Sequence, residues 1–101
     1  MSCGIYKITN TINNKIYIGC SKHIELRWQQ HIYEANNENQ CQYNYTIHRA
    51  MRKYGIENFI FECIEEIDEK QMMEREKYWI DYYNSYNNGY NETIGGDCGP
   101  A

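Results

Sequence analysis

The stretch Gly4-Ile5-Tyr6-Lys7-Ile8-Thr9-Asn10-Thr11-Ile12-Asn13-Asn14-Lys15-Ile16-Tyr17-Ile18-Gly19 holds two β-rich runs joined by an Asn- and Thr-rich connection. β-Branched and aromatic side chains suit a pleated, half-buried surface, and Asn suits turns, so residues 4–9 and 15–19 are expected to pair as a β-hairpin. Side chains alternate between the faces of a strand. Tyr6 and Tyr17 therefore share a face only if the antiparallel register pairs residues whose numbers sum to an odd value.

After the hairpin, Ser21 is expected to N-cap a helix reaching about Ala35, with Ile24, Trp28, Ile32 and Ala35 on one stripe. At about 100° per residue, Arg27 and His31 fall together on one flank of Trp28, with Glu34 just beyond. Arg27 and His31 are also an i, i+4 pair, close enough to act on one bound group. The Asn- and Gln-rich residues 36–44 suit a loop. A second helix follows, because Ile47, Ala50, Met51 and Tyr54 keep helical spacing and Gly55 is a natural residue to follow its end. Residues 58–67 read as a third strand, and Asp68 is expected to start a last helix to about Asn84. Residues 85–101, rich in Asn and Gly and holding the single proline, Pro100, are expected to be coil. The fold class is α/β of the α+β kind: a small three-stranded antiparallel sheet flanked by about three helices. Residues 1–96 form one domain, with 97–101 as a tail or the start of a linker.

The last helix contains a conflict. Met72, Met73, Trp79, Ile80 and Tyr83 cluster around one direction, and that direction is occupied by Glu76. Its neighbours Glu74, Arg75 and Lys77 point away, as solvated charges should. Burying a carboxylate without compensation is costly, so Glu76 needs a cation or a strong donor. A metal ion and a structural salt bridge both satisfy that need.

Composition bounds the rest. With 101 residues, 42% of them hydrophobic, the chain has room for one modest core. It lacks an apolar run long enough for a membrane helix, and its Met-Ser-Cys-Gly start lacks a signal-peptide shape, so a cytoplasmic protein with no membrane association is expected. The five cysteines are scattered without a CxxC pair, which argues against a zinc knuckle and for reduced thiols. The net charge of −4 hides an asymmetry: residues 1–55 carry seven Lys/Arg against three Asp/Glu, and residues 56–101 carry three against eleven. The basic half can face phosphates. Lys7, Lys15, Lys22, His48, Arg49 and Arg52 are its candidate contacts to nucleic-acid phosphates, though affinity from this module alone should be weak and salt-sensitive.

Gly4-Ile5-Tyr6, Tyr17-Ile18-Gly19, Arg27, His31, Glu76, and Asn91 within Gly89-Tyr90-Asn91, followed by Gly95-Gly96, together resemble the GIY-YIG nuclease family. The resemblance is strongest to the catalytic domains of phage intron-encoded homing endonucleases, and it runs from residue 4 to about residue 97. It implies a divalent-metal-dependent endonuclease with Tyr6, Tyr17, Arg27, His31, Glu76 and Asn91 at its active site. Glu76 takes the place of the family's ligand to a single magnesium or manganese ion, a hard cation that suits carboxylate oxygen. Arg27 takes the place of the arginine that stabilises charge on the phosphorus centre, where a planar guanidinium fits phosphate oxygens. Tyr6 and Tyr17 stand for the tyrosines that deprotonate or orient water; a phenol needs nearby positive charge to act as a base at neutral pH. His31 is left between proton relay and phosphate contact, and Asn91 supports geometry by hydrogen bonding.

One departure stands out. Some phage relatives carry a further histidine before the second helix, where this chain has Cys41-Gln42, and His48 is a weak substitute for it. The implied partners are double-stranded DNA and a separate or C-terminal DNA-binding domain, with the module itself a monomer. A structure-specific or repair nuclease of the same superfamily, or a non-catalytic nucleic-acid-binding module, are the alternatives.

Overall fold

In the computed structural model, which describes residues 2–92, the hairpin strands are β1 (Gly4–Asn10) and β2 (Ile16–Ser21). Tyr6 lies opposite Gly19, and Tyr17 opposite Ile8, the odd-sum register that sets both tyrosines on one face. A third strand, β3 (Phe59–Glu66), pairs antiparallel with the other side of β1, so the sheet order is β2-β1-β3. The helices are α1 (Ile24–Ala35), α2 (Thr46–Tyr54), α3 (Met72–Tyr83) and the one-turn α4 (Ser85–Asn88).

The central strand is buried on both faces. On one face Ile8 packs with Ala35 of α1, Ile47, Ala50 and Met51 of α2, and Phe59 and Tyr90. On the other, Ile5 and Ile18 pack against Ile80 of α3, with Trp79 and Tyr83 alongside. Three layers result, helices on either side of a sheet. Fully burying an isoleucine contributes about 1.5–3 kcal/mol, more than any single strand preference, so these two clusters decide how the layers stack. A bulge between Ile5 and Tyr6 in the pairing with β3 resets the register beside the first tyrosine.

Several local expectations are corrected. Ser21 ends β2 rather than capping α1; strand and helix follow so closely that its hydroxyl instead accepts from the His23 N–H at 3.0 Å. The start of α1 is held by the N-terminal segment, where the Ser2 carbonyl accepts from the Ile24 N–H and the Ser2 hydroxyl donates to Glu25. The buried face of α1 comprises Ile24, His31, Glu34 and Ala35, so it is turned toward the polar flank. Asp68 caps a short 3-10 turn, Glu69–Gln71, before α3 begins. Met73 is exposed, whereas Met72, Glu76 and Ile80 are buried as the stripe predicts. Residues 85–88 are helical rather than coil, because Asn84 adopts a left-handed conformation (φ 55°) that turns the chain into α4. Cys3, Cys41 and Cys63 are free thiols, but Cys20 is disulfide-bonded, which corrects the reduced state expected for it. The expected domain boundary at residue 96 and the tail 97–101 lie outside the described residues. No described helix is long and apolar enough to cross a membrane.

The exposed edge of β2 is closed by the segment after α4. The Tyr90 N–H donates to the Ile16 carbonyl at 2.9 Å. The side chain of Asn91 then imitates a strand: its Oδ1 accepts from the Ile18 N–H at 2.8 Å and its Nδ2 donates to the Ile18 carbonyl at 2.9 Å. Removing that amide leaves both peptide groups of a half-covered edge without their partner. Asn91→Ala is expected to destabilise the fold by about 1–3 kcal/mol, read as a lower urea midpoint at unchanged slope. A change no larger than that of a neutral surface substitution would show that the edge is held by other contacts.

Candidate active site

Tyr6, on β1, and Tyr17, on β2, face α1 with ring centroids 6.4 Å apart. The close approach depends on Gly19, because a Cβ there would run into the end of the Tyr6 ring. Gly4 similarly admits the backbone of β3, since its Cβ would strike the Glu65 carbonyl. Trp28 meets Tyr6 edge-on and His31 meets both tyrosines edge-on, so the two phenols are packed by one helix.

The polar contacts form a line. The Tyr6 hydroxyl is 2.7 Å from His31 Nε2, His31 Nδ1 is 2.8 Å from His48 Nε2, and His48 Nδ1 is 2.6 Å from the Gln42 carbonyl. Tyr6, His31 and His48 are all buried. Burial, then Arg27 and then His48 hold His31 well below the ordinary histidine value. Burial likewise lowers His48, against opposing contributions from the Gln42 carbonyl and Glu34. Burial, followed by Tyr17, raises Tyr6 well above the ordinary phenol value; Arg27 opposes this, while Glu76 and Glu34 add to it. The phenol is therefore neutral in the ligand-free fold. Burial outweighs the lowering by Arg27, so the positive charge beside Tyr6 does not by itself bring the phenol to ionisation.

Arg27 reaches Glu34, with Nη1 3.3 Å from Oε1, and Gln30 donates to the other carboxylate oxygen at 3.0 Å. Desolvation disfavours the Arg27 charge, but Tyr6, Glu34 and Tyr17 outweigh it and keep the guanidinium above its ordinary value. Glu76, on α3, is buried with Oε2 3.5 Å from Cys20 Sγ.

Two groupings have the residue types of a metal centre. The ligand atoms of His31, Glu34 and His48 lie within 4.8 Å of one another. Their chemistry is already saturated: the two imidazoles share a hydrogen bond, and Glu34 is neutralised by Arg27. The Glu76 carboxylate is a hard oxygen donor and lies close enough to Tyr6 to influence its ionisation. It fits a magnesium-like ion, which keeps most of its waters and takes one or two carboxylates.

The family model described as the GIY-YIG catalytic domain matches residues 2–91. This chain belongs to the GIY-YIG family. It is 40% identical, over 97% of its length, to intron-associated endonuclease 1 of Enterobacteria phage T4, but spans only 41% of that relative. It superimposes on the catalytic domain of homing endonuclease I-TevI with a TM-score of 0.78 and 38% identity, covering 90% of this chain and 98% of that one. A glutamate-to-alanine mutant of the same catalytic domain gives a TM-score of 0.81 at 38% identity, over 93% of this chain and 96% of that one. The GIY-YIG fold thus accounts for the whole described sheet and its helices.

Within this GIY-YIG domain, Tyr6, Tyr17, Arg27 and His31 converge on the α1-facing side of the sheet, with Glu76 approaching from α3. Asn91 lies at the β2 edge, bound to Ile18 rather than to this cluster. Three candidate DNA contacts face inward. His48 is buried in the hydrogen-bonded line. Lys7 points to the α3 side, paired with Glu62 at 3.5 Å and lying over the Tyr83 ring. Arg52 donates to the Ala35 and Tyr43 carbonyls and stacks on Tyr43, clamping the 36–45 loop. Lys15, Lys22 and Arg49 are exposed. The sequence places Glu34 just beyond Arg27 and His31 on the same flank, but assigns it no role. Nothing local marks Gln42, which matters only through its peptide carbonyl.

The neutral histidines tie stability to pH. Both take up protons more readily in the unfolded chain, so stability is complete above the ordinary histidine value of 6.5 and falls as pH drops below it. Between about pH 6.5 and 5, each histidine lowers unfolding free energy by at most about 1.4 kcal/mol per pH unit. Glu25 and Glu65, held below 4.5 chiefly by hydrogen bonds from Ser2 and Arg75 respectively, act at more acidic pH. Urea unfolding across that window should show the decline and its flattening in a His31→Gln, His48→Gln double variant. A wild-type stability independent of pH there would mean that neither ring is held neutral.

Proposed function

We propose that this chain is the catalytic module of a divalent-metal-dependent endodeoxyribonuclease, hydrolysing phosphodiester bonds of double-stranded DNA. The observation that carries the reading is the Tyr6 to His31 contact at 2.7 Å, set beside Arg27 within the matched family's motif residues. A phenol hydrogen-bonded to a neutral imidazole can hand on its proton while taking one from water, so a high resting pKa does not prevent it from acting as a base. Arg27 is in place to meet charge developing on phosphate oxygens, since a guanidinium has five N–H groups and the Glu34 contact uses one. Tyr17, beside Tyr6, orients water or phosphate. Asn91 holds the strand that carries Tyr17.

Glu76 would hold magnesium or manganese, and a metal there supplies Lewis-acid stabilisation of a phosphate oxygen and the leaving 3′ oxygen. Of the candidate contacts to the DNA backbone, Lys15, Lys22 and Arg49 are exposed, Lys22 within an exposed pair with Glu69. Recognition of a particular site is assigned to a DNA-binding segment elsewhere, in line with the length of the T4 relative beyond the matched region. The module acts as a monomer inside the cell.

Micromolar protein with magnesium should nick supercoiled plasmid. Removing the metal with a chelator, or introducing Glu76→Ala or Arg27→Ala, should lower the rate by about 10²-fold or more. Cleavage by Arg27→Ala and Glu76→Ala at the wild-type rate would remove the mechanism, and an inert wild-type protein on linear, supercoiled and branched DNA would remove the nuclease reading itself.

A further inference from the structure

The direction of every proton in the buried line can be deduced. A peptide carbonyl only accepts, so His48 Nδ1 carries the hydrogen that bonds to Gln42. A neutral imidazole has one donor and one acceptor, which leaves His48 Nε2 an acceptor and makes His31 Nδ1 the donor to it. His31 Nε2 is then an acceptor, and the Tyr6 hydroxyl donates to it. The Gln42 carbonyl thus sets the tautomer of two rings and points the Tyr6 proton at His31 Nε2.

We propose that His48 is the terminal proton acceptor of a two-histidine relay that activates Tyr6, an assignment that rests on Tyr6 acting as the base of the nuclease. The Tyr6 O–H passes its proton to His31 Nε2 as His31 Nδ1 passes its own to His48 Nε2. Tyr6 becomes a phenolate, His31 stays neutral in the opposite tautomer, and His48 becomes an imidazolium. The phenolate takes a proton from the attacking water as the new P–O bond forms and the bond to the 3′ oxygen breaks. Solvent protonates that leaving oxygen. After product release, the extra proton on His48 returns along the same line to solvent.

Charge placement favours His48 over His31 as the resting point. His31 lies beside the Arg27 cation, which opposes a second positive charge. His48 has Glu34 Oε1 3.8 Å from Nε2 and the Gln42 carbonyl at Nδ1. The groups around His48 are Glu34 and Arg27 from α1, Arg52 one turn along α2, and Tyr45, stacked on its ring at 5.7 Å. Tyr6 of β1 and Tyr17 of β2 stand beyond His31. Glu34 and Gln42 favour the cation; the arginines oppose it. The Arg52 clamp on the Tyr43 carbonyl keeps the Gln42 carbonyl in place.

His48→Gln tests the relay, because the amide can accept from His31 but cannot take up a proton. With magnesium and plasmid DNA, single-turnover cleavage by this variant should be about 10²-fold slower than wild type at pH 7. The gap should narrow toward pH 9, where hydroxide removes the Tyr6 proton directly, while the wild-type rate stays level above about pH 6.5. A His48→Gln rate equal to wild type, in a protein whose His31→Gln variant is slow, would overturn the relay and leave the nuclease reading standing. A loss of the same factor at every pH would make His48 a packing residue only, which also overturns it. If His48→Gln does not fold, imidazole nitrogen NMR on the wild-type protein decides. Protonated Nδ1 with bare Nε2 on both His31 and His48 is the expected pattern, and protonated Nε2 on His31 defeats the proposal.

Discussion

A single peptide carbonyl, that of Gln42, sets the polarity of the interior, and much of the surrounding architecture makes sense as the means of holding it there. The line it anchors crosses from the 36–45 loop through α2 and α1 to the central strand. It therefore ties four segments of the chain together by three hydrogen bonds of 2.6–2.8 Å. Each bond is net stabilising by only about 1 kcal/mol, whereas an unpaired buried donor or acceptor costs about 1–3 kcal/mol. Such a line favours being complete. That asymmetry explains why α1 turns its His31 and Glu34 inward and leaves Trp28 only half-buried, against the rotation its apolar residues alone would choose.

Among the described residues, Glu34 and Glu76 are buried carboxylates, and their surroundings differ. Glu34 has Arg27 on one oxygen and Gln30 on the other, so its charge is matched inside the helix that carries it. Glu76 sits on the opposite layer, in a stripe of Met72 and Ile80, beside Cys20 of the sheet. Both carboxylates raise the proton affinity of Tyr6. Arg27 opposes them and also limits protonation of His31, so one guanidinium biases the tyrosine toward ionisation and the neighbouring imidazole toward neutrality. In the proposed relay, a phenol that releases a proton and a ring that receives one are pulled together by this cation only in part; His48 also feels Arg27, but Glu34 and the Gln42 carbonyl favour its charge.

Features with a short period were legible in the sequence. Alternation along β1 and β2 gave a testable register for Tyr6 and Tyr17, and the spacing of Met72, Ile80 and Tyr83 was enough to bury Glu76 in their midst. What could not be read was tertiary. His48 looks like an α2 surface residue because its neighbours Ile47 and Met51 define the apolar stripe, and only the docking of α2 on α1 brings its ring to His31. Lys7 and Arg52 look basic and exposed for the same reason, since Glu62, Tyr43 and the Ala35 carbonyl are distant in the chain. Ser21 has the chemistry of a cap, but its place at the end of an ordered strand puts its hydroxyl two residues before the N-cap position, which His23 takes. The family resemblance supplied Tyr6 and Tyr17 as reacting groups; composition alone, with eleven tyrosines, could not distinguish them.

Those inward-facing cations alter what the charge asymmetry means. Of the seven basic residues in the first 55, Lys7 pairs with Glu62, Lys22 with Glu69 and Arg27 with Glu34, while Arg52 is bound to carbonyls. Lys15, Arg49 and Lys53 remain on the surface, with Lys53 lying over the Tyr54 ring. Exposed pairs such as Lys22 with Glu69 contribute little to stability and can exchange for phosphate, but half-buried ones cannot do so without leaving a charge uncompensated. Affinity for a polyanion grows with the number of phosphates neutralised. Counting sequence charges therefore overstates the attraction, and Arg27, the cation proposed to meet phosphate, is already paired with Glu34. A module built this way can be fast at a phosphate brought to it and still hold DNA poorly, so in the proposed nuclease the binding energy has to come from outside the described residues.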